Sequence, residues 1–143
     1  MAGPSSVTPR PVSPSNSTKR FTLAEANRSL PLVKRIVADV MKMHDQVTAL
    51  QVSLASAKGA DLASAQSKLD RAAEQLQSYV DELMAIGCQL KDFQLGLVDF
   101  IGRHQSRDVC LCWKMGEDSI GFWHELNTGI TGRQPVSTLR EPA

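Results

Sequence analysis

Two cysteines, a histidine and an aspartate in the C-terminal third of this 143-residue chain offer groups that could do chemistry. Cys110 and Cys112 are separated by one residue, and alternate positions of a β-strand point to the same face. With His124 and Asp99 they provide thiolate, imidazole and carboxylate, the ligands of zinc and other transition metals. Structural zinc sites, however, pair cysteines separated by roughly two to four residues. We therefore interpret both cysteines as buried free thiols and predict no bound metal or cofactor.

Acid–base chemistry by His124 with Asp99 and Glu125 is a second interpretation of this stretch. A histidine oriented by a carboxylate titrates near neutral pH and can move protons. His124 and Glu125 are neighbours in a predicted strand, so both can enter one site only at a bulge or a strand end. The structural alternative is favoured: His124 is hydrogen-bonded at the sheet edge, and Glu125 pairs with Lys114 or Arg133.

Ligand binding is a third interpretation, with Arg133, Trp113 and Trp123 as the candidate residues. Arg133 lies in a stretch rich in glycine and threonine that could cradle a phosphate or carboxylate, but a plain glycine-rich turn is the favoured interpretation because the phosphate-loop spacing is absent. The two tryptophans belong to an aromatic cluster that either lines a pocket or forms the core. Because the net charge is only +1 and few Lys or Arg lie among the aromatics, nucleic acid is not an expected partner.

The β-rich segment that would position these residues begins near residue 90. Alternating patterns predict strands at 97–101, 109–113 and 120–124, separated by Gly, Asp and Ser, and therefore a three-stranded antiparallel meander. In the simplest register, Phe122 and His124 share the face that packs on the helices. The opposite face carries Asp99, Cys110, Cys112 and Trp123. This mixture is unusual for a solvated surface, so it is the best site candidate.

A long antiparallel helical hairpin precedes the strands. Thr22 and Glu25 form a capping-box pattern that begins a helix, and Pro31 predicts a short opening helix with a kink before the long one. The residues at 58–61 then predict a tight turn to a second helix. Apolar residues recur at alternating three and four spacing in both helices, at Leu32, Ile36, Val40, Met43, Val47, Leu50 and Leu54, then Leu62, Ala65, Leu69, Ala72, Leu76, Tyr79, Leu83 and Ile86. Further apolar positions beside these seams need a cover, which is either the C-terminal unit or a second hairpin in a four-helix dimer.

The chain thus predicts one α+β domain in four segments. These are a disordered Pro/Ser/Thr-rich tail at 1–19, the hairpin at 20–88, the β-rich unit at 89–136 and a disordered C-terminus at 137–143. No apolar run approaches the roughly 20 residues that span a bilayer, and the N-terminus lacks the apolar core of a signal peptide. We expect a cytoplasmic protein without membrane contact, whose three cysteines are reduced.

Several separated motifs occur in an order that resembles a known family. They are Phe21-Thr22-Leu23, Glu25-Ala26-Asn27, Leu30-Pro31, Gly96-Leu97-Val98-Asp99-Phe100, Leu111-Cys112-Trp113, Ile120-Gly121-Phe122-Trp123-His124-Glu125 and Gly132-Arg133-Gln134-Pro135. Between residues 21 and 136 the chain resembles the bacterial family called domain of unknown function 2203. The resemblance implies the extent of the domain and a bacterial, cytoplasmic setting, and it implies no reaction.

Two functional hypotheses follow from the sequence. The first is a non-catalytic interaction or scaffold protein, in which the hairpin forms a homodimer and the aromatic sheet docks a protein partner. The alternative is a small enzyme or a ligand- or metal-binding domain, with a site at the end of the sheet. That site would gather Asp99, His124, Glu125 and Arg133. Convergence of these four side chains in a pocket favours the alternative, and their dispersal favours the scaffold.

Overall fold

In the computed structural model, which describes residues 19–142, a helical hairpin is followed by a five-stranded antiparallel sheet. Helix α1 spans Leu23–Ser56 and α2 spans Ala60–Ile86. The strands are β1 Cys88–Asp92, β2 Leu97–His104, β3 Arg107–Lys114, β4 Phe122–Glu125 and β5 Gln134–Pro135, and each pairs with the next. The α+β fold is confirmed. The predicted tail lies outside the described residues except for Lys19.

The predicted count of three strands was wrong, because both edge strands carry weak patterns. β1 begins immediately after Gly87, the left-handed residue that ends α2 with φ of +112°, so no loop separates helix from strand. β5 has only two residues and contains Pro135, which cannot donate to a sheet. The two central strands are also longer than predicted and meet in a tight turn at Gln105 and Ser106, both with positive φ.

Helix α1 begins as predicted and does not break at Pro31. The capping box is present, since the Glu25 N–H donates to Thr22 Oγ1 at 3.0 Å and the Thr22 N–H donates to Glu25 Oε1 at 2.8 Å. The predicted short opening helix was wrong, because α1 continues through Pro31. Leu30 and Val33 on either side of it are 3% and 0% exposed, and their burial offsets the hydrogen bond that proline cannot make.

The sheet covers the apolar positions beside the helical seams. Val33 and Val37 of α1 and Val80 of α2 are buried in one core cluster with Phe100 and Leu111 of the sheet. Of the two covers that the sequence allowed, the C-terminal unit and a second hairpin, the C-terminal unit therefore packs on these positions. None of the described helices is long and apolar enough to cross a membrane.

The side chains of strand β4 lie on the opposite faces of the sheet from those predicted. Cys110 pairs with His124 and Leu111 pairs with Trp123, so His124 shares a face with the cysteines and Trp123 faces the helices. The predicted strand starts its alternation at Ile120. The observed strand begins only at Phe122, after an irregular stretch. A shift of one residue exchanges the two faces of a strand, and this explains the error.

Within the C-terminal segment predicted to be disordered, Leu139 and Arg140 instead pack on the domain. Leu139 is 8% exposed, and the Arg140 N–H donates to His104 Nδ1 at 2.9 Å. The Gln105 N–H donates to the Arg140 carbonyl at 2.8 Å. Residues 139–140 therefore hold the β2–β3 turn, a contact that their local sequence does not reveal.

Candidate functional site

The sheet face that points away from the hairpin is buried as well, and it lies apart from the main core. Leu97, Ile101, Cys110 and Cys112 are 6%, 2%, 5% and 0% exposed, yet none belongs to the core cluster between helices and sheet. The segment at 126–130, which follows β4, contributes to a cavity of about 220 Å³ over this face. We call this cavity and the side chains beneath it the outer site.

An imidazole–carboxylate pair forms the centre of the outer site. His124 Nε2 lies 3.2 Å from Asp99 Oδ1, and the two side chains are 3% and 4% exposed. His124 Nδ1 lies 2.7 Å from the backbone carbonyl oxygen of Glu125. Because a carbonyl only accepts, Nδ1 carries a proton and donates it to this bond. The contact fixes the ring so that Nε2 faces Asp99.

The protonation of His124 follows from these contacts. Burial lowers the pKa of His124, but hydrogen bonds with Asp99, Cys112 and the Glu125 carbonyl outweigh burial and raise this pKa to about 10. In the absence of another cation, His124 is therefore an imidazolium paired with Asp99 at neutral pH.

Cys112 completes a buried group of three potential metal ligands. A ligand atom from each of Asp99, Cys112 and His124 lies within 4.8 Å of the other two. Around a tetrahedral zinc, bond lengths of about 2.0–2.3 Å place ligand atoms roughly 3.2–3.8 Å apart. The 3.2 Å between His124 Nε2 and Asp99 Oδ1 has this spacing, and Cys112 Sγ lies within 4.8 Å of a ligand atom of each.

Cys110 lies beside this group and lines the cavity. Burial and the negative charge of Asp99 raise the pKa of the Cys110 thiol to about 12, so the thiol is protonated at neutral pH. A Cys–His–Asp catalytic triad does not fit, because it needs one histidine nitrogen for the thiol and the other for the carboxylate. Here Nδ1 of His124 is bonded to a backbone carbonyl instead.

Glu125 and Arg133 do not join Asp99 and His124. Glu125 accepts two hydrogen bonds from Arg107, at 3.1 and 2.7 Å, rather than pairing with Lys114 or Arg133 as expected. Arg133 donates to Glu117 at 2.8 Å and stacks on the ring of Phe122. Of the four side chains predicted to converge, the structure thus brings only Asp99 and His124 together.

The two candidate tryptophans lie in the main core rather than in the cavity. Trp113 is fully buried and donates from Nε1 to the Glu117 carbonyl at 2.8 Å. Trp123 is 2% exposed, donates from Nε1 to Thr138 Oγ1 at 2.9 Å and stacks on His104. Both rings therefore contribute packing, and their polar atoms are satisfied within the fold.

Gln89 is a residue of the outer site that sequence reasoning missed. It lies opposite Asp99 in the β1–β2 pair, lines the cavity and is 6% exposed. Its side-chain Nε2 is buried and has no hydrogen-bond partner among the described residues. Recognition of β1 would have placed Gln89 on the same face as Asp99, but the short strand directly after a helix concealed it.

A family model described as an uncharacterized conserved protein, DUF2203, matches residues 19–136. The chain belongs to the DUF2203 family. The matched span contains the hairpin and all five strands of this DUF2203 domain, and with them the whole outer site. No curated protein and no solved structure is detectably similar to the chain.

Proposed function

We propose that this DUF2203 domain binds a divalent transition metal ion at the outer site, through Asp99, Cys112 and His124. The observation that carries the proposal is the group of three buried ligand atoms, one each of oxygen, sulfur and nitrogen, within 4.8 Å of one another. Zinc fits this set best, because it accepts carboxylate, thiolate and imidazole together and has no fixed geometric preference.

The orientation of His124 supports a metal ligand. Metal-binding histidines usually donate their second ring N–H to a carbonyl or carboxylate, which fixes the tautomer, and His124 Nδ1 contacts the Glu125 carbonyl in this way. A neutral His124 would then direct the lone pair of Nε2 at Asp99 Oδ1, which is also an acceptor. Such a pair needs either a proton or a cation between its atoms. We infer that the metal replaces the proton held in the metal-free protein.

Cys110 is the candidate for a fourth ligand, although it lies outside the group of three close ligand atoms. It lies two residues from Cys112 on the same face of β3, and it is close enough to Asp99 for the carboxylate to act on its thiol. Binding of the metal by either cysteine requires the thiolate, so the metal must displace the thiol proton. If Cys110 stays protonated, the cavity beside it leaves room for a water molecule as the fourth ligand.

Zinc titration of the full chain tests the proposal. The protein is treated with a chelator under reducing conditions and titrated calorimetrically with zinc. We expect one zinc per chain, and we expect Cys112→Ser and His124→Gln each to weaken binding by about a hundredfold or more, since each removes a direct ligand.

Cys88→Ser is the matched control. Cys88 is equally buried, but its Sγ donates to the Leu83 carbonyl at the end of α2, outside the outer site. This variant should bind zinc like the wild type. Equal zinc affinity in wild type and Cys112→Ser, or equal losses in Cys112→Ser and Cys88→Ser, would contradict the proposal.

Self-association is a second candidate function, and the free end of the hairpin favours it. Between residues 48 and 68 no residue is buried, whereas Val47 and Leu69 on either side of this segment belong to the core. Val52 and Leu62 near the end are 69% and 48% exposed. Because the core shared with the sheet extends only as far as Val47 and Leu69, association would run through this end.

Light scattering on the full chain distinguishes the oligomeric states. A dimer mass that falls to the monomer value in Val52→Glu supports self-association, because a buried charge at the contact is unfavourable. A monomer mass for the wild type at every concentration contradicts it.

A further inference from the structure

The cavity of the outer site contains a hydrogen-bond donor that the protein leaves unused. Gln89 lines this cavity, is 6% exposed and has no partner for Nε2 among the described residues. A buried donor without an acceptor costs about 1–3 kcal/mol. An acceptor atom on a bound molecule would remove this cost, so the orphaned amide indicates a ligand that offers an oxygen.

The charge around the cavity favours a negative oxygen. Lys91 lies two residues from Gln89 in β1, lines the same cavity and forms no ion pair among residues 19–142. Its positive charge is near enough to act on Cys110 within the cavity. The carboxylate of Asp99 is already engaged by His124, whose Nε2 lies 3.2 Å from Asp99 Oδ1. Lys91 is therefore the cationic side chain of this lining that is available to an anionic ligand.

The remaining wall of the cavity is apolar. Leu97 and Ile101 contribute from β2, and Leu126 and Ile130 contribute from the segment that follows β4. The volume of about 220 Å³ is below the roughly 300–1,000 Å³ of pockets for drug-sized molecules. At about 30 Å³ for each water-sized group, it holds about seven non-hydrogen atoms.

We propose that the outer site binds a small monocarboxylate with a short aliphatic chain. The carboxylate accepts from Gln89 Nε2 and pairs with Lys91, and the chain packs on the leucine and isoleucine side chains. This site adjoins the proposed metal ligands but does not require the metal, because neither Gln89 nor Lys91 belongs to that group.

Nuclear magnetic resonance titration of the ¹⁵N-labelled full chain tests this proposal. The probes are sodium butyrate, pentanoate and hexanoate, with the alcohols of equal chain length as uncharged counterparts and sodium chloride to match ionic strength. We expect pentanoate to produce saturable shifts of the Gln89 side-chain amide and of the Gly129 and Ile130 backbone amides. Its affinity should exceed that of 1-pentanol by about tenfold, because only the carboxylate pairs with Lys91 and its hydrogen bond from Gln89 is charge-assisted.

Two variants separate the carboxylate contacts from general apolar binding. Gln89→Met keeps the side-chain volume but removes the donor, and should weaken pentanoate by about tenfold and 1-pentanol by less, because the alcohol oxygen accepts only a neutral hydrogen bond. Lys91→Gln should weaken pentanoate by up to about fivefold, as expected of an exposed ion pair. Lys68→Gln, on α2 and outside the lining of this cavity, is the control and should bind like the wild type.

The titration is run on metal-free and on zinc-treated protein, so that the two proposals fail separately. Pentanoate binding without zinc binding contradicts the metal site alone. Zinc binding with no saturable pentanoate shift at Gln89 in either form contradicts the carboxylate site alone. Equal affinities for pentanoate and 1-pentanol, or for wild type and Gln89→Met, also overturn the carboxylate proposal.

Discussion

Gln89 is buried in β1 at a position where an apolar side chain would fill the same space without leaving a donor unpaired. In the ligand-free protein, Gln89→Met should therefore raise the free energy of unfolding by about 1 kcal/mol, because it removes the desolvation cost of the orphaned amide. Urea unfolding measures this change. Gln94→Met, at an exposed position after β1, is the control and should change stability by less than about 0.5 kcal/mol. A loss of stability in Gln89→Met would mean that the amide has a structural partner.

His124 makes the stability of the metal-free protein depend on pH. Its pKa is about 10 in the folded chain, compared with an ordinary value of 6.5, so the folded state holds the proton more tightly than the unfolded state. The resulting stabilisation is complete below pH 6.5 and is lost as the pH rises towards 10. Between pH 6.5 and pH 9, the free energy of unfolding should fall by about 3 kcal/mol. The range ends at pH 9 because this is the ordinary pKa of a cysteine, above which the thiols also ionise in the unfolded chain.

Urea unfolding of chelator-treated protein at several pH values checks this slope. The double variant Asp99→Asn/His124→Gln removes both members of the ion pair and should show a much shallower profile over the same window. His44→Gln, on the hairpin, should keep the wild-type slope. A flat wild-type profile would show that His124 is not protonated by its contact with Asp99.

The sequence identified the acid, imidazole and thiol groups of the outer site but neither Gln89 nor their arrangement. Asp99 and His124 were predicted as candidates from residue type, and they meet in the structure. Cys112 was assigned to the wrong face relative to His124, because the phase of β4 depends on where the irregular stretch before Phe122 ends. That boundary is set by tertiary contacts such as the bond from the Ile120 N–H to Asn27 Oδ1 at 2.8 Å, which local alternation cannot reveal.

At the scale of elements, the turn between β1 and β2 depends on Gly96. This residue has a φ of +65°, and an added Cβ would lie 2.8 Å from Met41 Sδ and 2.9 Å from Met115 Cβ. Gly96→Ala should lower the free energy of unfolding by about 2–4 kcal/mol, because left-handed backbone strain and overpacking add. Thermal or urea unfolding measures the loss.

Gly116→Ala separates these two costs. Gly116 also has a positive φ, of +101°, but no atom lies within 4 Å of an added Cβ. The Gly116→Ala variant should therefore lose only the part of the unfolding free energy that comes from backbone strain, about 1–2 kcal/mol. Equal losses for the two variants would show that the packing around Gly96 contributes nothing.

The helices were more predictable than the strands, for a physical reason. Each helix repeats one apolar seam over many turns and has local capping signals, such as Thr22 with Glu25 and the glycine at 87, so the pattern survives a single exception at Pro31. Strands β1 and β5 have few residues and depend on a neighbour for their hydrogen bonds. Their existence is therefore a property of the sheet rather than of their own sequence.

At the scale of the whole molecule, the C-terminal segment extends the domain beyond the matched family span of 19–136. Leu139 packs in the core cluster, and Arg140 bonds to both His104 and Gln105. Removal of residues 137–143 should therefore lower the free energy of unfolding by about 2–4 kcal/mol, from one buried leucine and its hydrogen bonds. Removal of residues 142–143 alone should have almost no effect, and urea unfolding measures both changes. Equal stability of the two truncated chains would contradict this role.

The domain thus has two buried regions with different properties. The core between hairpin and sheet is apolar, and its few polar atoms, such as the indole N–H groups of Trp113 and Trp123, are bonded within the fold. The outer site keeps an ion pair, two thiols and an unpaired amide under a short segment of chain. The first region is what the stability of the fold requires, whereas the second contains polar groups that a ligand or a metal ion would engage.

Cobalt(II) titration of the full chain, followed by absorption spectroscopy, tests the proposed metal site most directly. Cobalt occupies zinc sites, and a thiolate ligand gives a charge-transfer band in the near ultraviolet. We predict that this band saturates at one cobalt per chain in the wild type and in Cys88→Ser, and that Cys112→Ser loses most of it. A wild-type spectrum without a thiolate band, or a band that Cys88→Ser removes and Cys112→Ser retains, would contradict metal binding by Asp99, Cys112 and His124.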